Sequence, residues 1–145
     1  MASAQELART DGMSAESYSS VHGLKWLLAE WPDAAVTEEP AGFHVNIDGD
    51  RGVVVILRSQ SVEIRLPTIE WHGPHTPVTT TRLWKRAPTA GLTPEDLKSL
   101  VCRGLRARRG QFRKCRYCGR EVPVEHRFST DVCHGCAEKH LGVCF

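Results

Sequence analysis

The chain has 145 residues, 41% of them apolar and 25% charged, a balance that suits one ordinary globular domain with a small appendage. No apolar run approaches the ~18 residues that a membrane helix needs, and the first twenty residues lack the charged-then-apolar layout of a secretory leader, so the expectation is a cytoplasmic protein with no membrane partner. The net charge of +2 hides an asymmetry: residues 1–97 carry eight Lys/Arg against thirteen Asp/Glu, a net of −5, whereas residues 98–145 carry eleven against four, a net of +7. A basic tail on an acidic body points to a polyanionic partner, either DNA or RNA, or to an acidic protein.

In chain order, residues 1–13 are small and polar and predict a disordered N-terminus. From Ser14, a candidate N-cap, the apolar residues Val21, Leu24, Leu27, Leu28 and Trp31 recur at helical spacing until Pro32 halts them, which predicts an amphipathic helix. Phe43, Val45 and Ile47 then alternate with polar residues, and the turn "DGDRG" leads into the apolar run Val53 to Leu57. Val62, Ile64 and Leu66 alternate with Glu63 and Arg65, completing a three-stranded antiparallel meander. "DGDRG" resembles the opening of a calcium loop, but its twelfth position is Ser59 and not the bidentate Glu such a loop requires, so it reads as a hairpin turn. "TIEWHGPHTP" reads as a loop, and Val78 to Arg86, rich in β-branched residues, as a fourth strand. A second helix follows, with Thr93 as N-cap, Pro94 in the first turn, Glu95 and Asp96 at the positive end of the dipole and Gly110 as the stop. The fold class predicted for residues 14–110 is α+β: a small antiparallel sheet of three to four strands with two flanking helices.

Residues 111–145 form the second unit. Cys115, Cys118, Cys133 and Cys136 make two Cys-x-x-Cys pairs fourteen residues apart, and four thiolates so arranged suit one tetrahedral zinc ion. Gly119 permits a positive φ just after the first pair, and the second pair opens a short helix ending at Gly142, whose first-turn N–H groups face the sulfurs. Knuckle, a hairpin across "REVPVEHRF", then a helix carrying the second pair resembles a treble-clef zinc finger over about residues 114–141. That resemblance implies the four named cysteines as ligands of one structural Zn2+ and leaves function open, because the family serves nucleic-acid-binding, protein-binding and nuclease proteins alike. Cys102 reads as a packed thiol on the second helix, and Cys144, next to Phe145, as a thiol able to swap into the set.

Three functions compete. "RGLRARRGQFRKCRYCGR" holds eight Arg/Lys and no acid, with Phe112 and Tyr117 interleaved. This nominates Arg103, Arg106, Arg108, Arg109, Arg113, Lys114 and Arg116 as phosphate contacts, with the aromatics as platforms for unpaired bases. An adaptor for an acidic protein is the rival, with Trp26, Trp71 and Trp84 as candidate exposed aromatics. A nuclease would need a catalytic His, for which His126 and His140 are the candidates, but the adjacent His pair and Asn-rich segment of treble-clef nucleases are missing. No catalytic residue is expected, because four cysteine ligands leave zinc no open position.

Overall fold

The computed structural model describes residues 17–74 and 76–142. The expectations for residues 1–13 and for Cys144 lie outside the described residues; among these the first helix begins later than expected, with Ser19 and not Ser14 as its N-cap, its Oγ accepting from His22 N at 3.0 Å. The architecture is α+β. A five-stranded antiparallel sheet, in order β1 to β5, comprises β1 (Ala35–Glu39), β2 (Gly42–Ile47), β3 (Val53–Arg58), β4 (Ser61–Trp71) and β5 (Pro77–Pro88). Helices α1 (Ser20–Glu30) and α2 (Pro94–Arg109) flank it. Among the described residues no helix is long and apolar enough to cross a membrane.

Period-2 alternation sets the two faces of the sheet. Val45, Val55, Val62, Ile64 and Leu66 project to one side and are buried with Leu27 of α1 and Leu97, Leu100, Val101 and Leu105 of α2. Both helices reach this face through a glycine. A Cβ on Gly23 would stand 2.7 Å from Tyr18 and 3.3 Å from Leu57, and one on Gly104 would stand 2.7 Å from Ile64. Helix α2 is capped as its sequence dictates: Thr93 Oγ1 accepts from Asp96 N at 3.1 Å, and Thr93 N donates back to the Asp96 carboxylate at 3.2 Å.

Two strand features differ from the sequence reading. Strand β1 was not anticipated, because four of its five residues are exposed and the single large apolar one, Val36, is itself 41% exposed, so no alternation marks it. The segment read as a loop is strand at both ends: Thr68–Trp71 pairs with Pro77–Thr80, and only a tight connection remains, closed by His72 N donating to Thr76 O at 2.9 Å. That end of the hairpin is largely exposed, which again erases the hydrophobic period.

Beyond α2, β6 (Arg113–Lys114) pairs with β7 (Glu121–Val122), a 3-10 turn covers Val124–His126, β8 (Arg127–Ser129) pairs with β9 (Val132–Cys133), and α3 (His134–Leu141) follows. The single hairpin expected across "REVPVEHRF" is thus two short ones. Pro123 has no N–H to give a ladder, so pairing ends at Val122 and the chain enters the 3-10 turn instead.

Candidate metal centre and the basic segment leading to it

The first cysteine pair sits in the turn between β6 and β7. Cys115 N donates to Arg120 O and Gly119 N to Cys115 O, each at 2.8 Å, which folds the turn back on itself. Gly119 closes it at φ +74°, a left-handed conformation that favours glycine. The second pair straddles the start of α3: Cys133 is its N-cap, with its sulfur accepting from Cys136 N at 3.4 Å, and Gly142 ends the helix at φ +67°. Cys133 N also donates to Cys115 Sγ at 3.5 Å, tying one pair to the other.

The four sulfurs lie within 4.8 Å of one another, and Cys118 Sγ is 3.9 Å from Cys133 Sγ. Ligands ~2.3 Å from a tetrahedral zinc stand ~3.8 Å apart, so the spacing fits a metal cage and is far too long for disulfides. Cys115, Cys133 and Cys136 are buried and Cys118 is exposed. The thiols are not equivalent. Backbone N–H groups of Cys118 and Cys133 pull the Cys115 thiol down, and the backbone and side chain of Arg120 pull Cys118 down. Burial, then the neighbouring sulfurs, push Cys136 up. A cluster of like charges resists its last deprotonation, and a bound dication reverses that resistance. The four cysteines are therefore positioned to bind a metal ion. Arg120, whose cation is favoured by the neighbouring Cys118 and Cys133 sulfurs, was not singled out in the sequence; nothing in its local pattern distinguishes it from its basic neighbours.

The structure separates the seven basic residues nominated for phosphate contact. Arg103, Arg106, Arg109, Arg113, Lys114 and Arg116 are exposed. Arg108 is the correction. It is 1% exposed, donates bidentately to Glu125 at 2.9 and 2.7 Å, and gives its Nε proton to Asp50 O at 2.9 Å and an Nη1 proton to Gln111 at 2.8 Å. A guanidinium so enclosed has no edge to offer a phosphate; it joins the finger to the sheet.

Phe112 is engaged as well, with the Arg51 guanidinium 4.9 Å and the Arg108 guanidinium 4.8 Å from its ring centre. Arg51 also pairs with Glu121 at 2.8 Å, a second bridge between the two parts. Glu125 and Arg51 carry no sequence signal for this role, because their partners lie 17 and 70 residues away.

Tyr117 stacks on His140, with ring centres 4.4 Å apart and planes 13° from parallel, and Arg116 lies over Tyr117 at 5.1 Å. His126 is exposed in the 3-10 turn. Trp71 is 49% exposed, whereas Trp26 and Trp84 pack partly against the core. Cys102 lies half-buried on α2, outside the metal cluster. No protein-family model, curated protein or solved structure matches the chain.

Proposed function

We propose that Cys115, Cys118, Cys133 and Cys136 hold one structural zinc ion in a treble-clef-like finger, and that the protein binds nucleic acid through backbone phosphates without catalytic turnover. Four sulfurs complete a tetrahedral zinc shell, leaving no position at which the ion would activate water. Cysteine ligands stay available in a reducing compartment, which suits the cytoplasm.

The observation that carries the nucleic-acid reading is the exposure of Arg103, Arg106, Arg109, Arg113, Lys114 and Arg116 along one continuous stretch. Of these six, only Arg109 has a carboxylate of the described residues within salt-bridge range, Asp48 at 3.9 Å. Guanidinium and ammonium groups without counterions are suited to displacing cations condensed on a phosphate chain. Phe112 is enclosed, so the contact would be led by charge.

A second reading, an adaptor for an acidic protein, is favoured by the exposed apolar side chains Tyr117, Val124 and Leu141 on the finger. Salt titration of binding to labelled single- and double-stranded DNA and RNA separates the two. Binding should weaken steeply with salt, and reversing Arg103, Arg106 and Arg109 to Glu should flatten the log–log slope by about 2–3 while leaving zinc content unchanged. Absence of binding at low salt, or an unchanged slope in the variant, overturns the nucleic-acid reading and leaves the adaptor.

A further inference from the structure

The two edges of the main sheet are unlike each other. Edge β1 has five residues and carries Glu38 and Glu39. Edge β5 runs twelve residues, is mostly exposed, pairs among the described residues only with β4, and carries Arg82, Lys85 and Arg86 with no acid. A long open edge is a row of unpaired backbone N–H and C=O groups, and it invites strand addition unless something blocks it.

The inner side of β5 is satisfied even where β4 cannot donate. Pro67 stands opposite Thr81, and the Arg65 guanidinium substitutes for its missing N–H, donating to Thr81 O at 3.1 Å and to Thr81 Oγ1 at 2.8 Å. The outer side is what remains for a partner.

Charge on this flank also runs against the body around it. Residues 1–97 sum to −5, yet three guanidiniums converge on one buried carboxylate on the sheet face turned away from the helices. Arg58, Arg65 and Arg86 reach Glu63 at 2.8, 3.2 and 3.0 Å. Burial would raise the Glu63 carboxyl, but these hydrogen bonds, Arg86 first, hold it below its usual range, so it stays charged beneath them. Arg86, 58% exposed, is thereby held in place at the β5 edge through its Nε and Nη2.

We propose that the β5 edge is a docking surface for an extended acidic segment of a partner protein, which adds to the sheet as a sixth strand. Backbone pairing along β5 supplies affinity, Arg82, Lys85 and Arg86 select acidic side chains, and the exposed Val78 and Leu83 take apolar ones between them. A second copy of this chain pairing β5 to β5 would set these cations against themselves. A phosphate chain would use the charge but neither the open backbone nor the apolar side chains. The proposal assigns the body a partner of its own, independent of what the finger binds.

The test is amide hydrogen exchange on the zinc-loaded full chain, with a synthetic peptide of alternating glutamate and valine, its lysine–valine counterpart, and a short single-stranded DNA as probes. The glutamate peptide should slow exchange along β5 and leave β1 unchanged. R82E/K85E, which alters two exposed residues and spares the Glu63 cluster, should keep the fold by circular dichroism and bind the peptide about tenfold more weakly. Equal protection by the lysine peptide, undiminished affinity in R82E/K85E, or no β5 protection at millimolar peptide overturns the proposal. Protection of β5 by the DNA alone also overturns it and makes the edge part of a nucleic-acid surface.

Discussion

The sheet domain and the cysteine finger are held together by different physics. The first buries a contiguous aliphatic core drawn from three strands and two helices. The finger's buried cluster has six members, Cys115, Val122, Val132, Cys133, Cys136 and Ala137, and half of them are the sulfurs themselves. A cluster this small cannot offset the conformational entropy of some thirty residues, so the zinc ion proposed for the four cysteines would serve as the finger's core. Where burial suffices a sequence can spend charge elsewhere; where it does not, a few ligands carry the whole fold and tolerate no substitution.

Losing a ligand should give the largest effect. Cys115→Ser or Cys133→Ser is expected to abolish stoichiometric metal binding and the dispersed amide signals of residues 113–141, because apparent zinc binding energies of about 10–16 kcal/mol are folding energies for such modules. Metal analysis with heteronuclear NMR checks this, and a Ser variant that keeps both metal and order would refute the ligand set. The sheet should survive, but less stably than in the parent protein, since Arg108 would be left buried without Glu125.

Next in size is the joint itself. Glu125→Ala strands a charge that is 1% exposed, and breaking a buried pair from one side costs about 3–5 kcal/mol, readable in urea unfolding. Replacing both partners, Arg108→Met with Glu125→Leu, should return much of that loss; a double variant as unstable as the single would show that the pair is not the joint. The pH dependence has a definite sign. Burial pushes the Glu125 carboxyl up, yet the Arg108 hydrogen bonds win and hold it below the ordinary 4.5. A depressed folded value means that the stabilisation is complete above about pH 4.5 and is lost as pH falls through the lower folded value. In E125A that acid-dependent component should shrink.

The smallest effects contrast two helical glycines. A methyl on Gly104 would stand 2.7 Å from Ile64, so Gly104→Ala should destabilise the sheet domain by about 1–3 kcal/mol. A methyl on Gly135, in the first turn of α3, meets nothing within 4 Å, so Gly135→Ala should stabilise the finger by up to about 1 kcal/mol through helix propensity. Thermal melts of the metal-loaded proteins compare them, and equal shifts of one sign would contradict the packing described for α2.

Much of this was legible in the chain itself. The caps of α2, the Gly119 turn, the helix from the second cysteine pair to Gly142 and the pairing of sulfurs within each Cys-x-x-Cys all follow from spacing within a few residues, because backbone geometry couples neighbours directly. Strand β1 and the outer half of the β4–β5 hairpin were not legible, since an exposed strand need not alternate. The basic run was legible as composition but not as a surface.

Only the folded chain decided that Arg108 faces Glu125, that two guanidiniums approach the Phe112 ring and that β5 is left as an edge among the described residues. Each of these depends on which distant segments meet. A side chain's charge is written in its own codon, but whether it greets solvent or a buried carboxylate is set by the packing of everything around it.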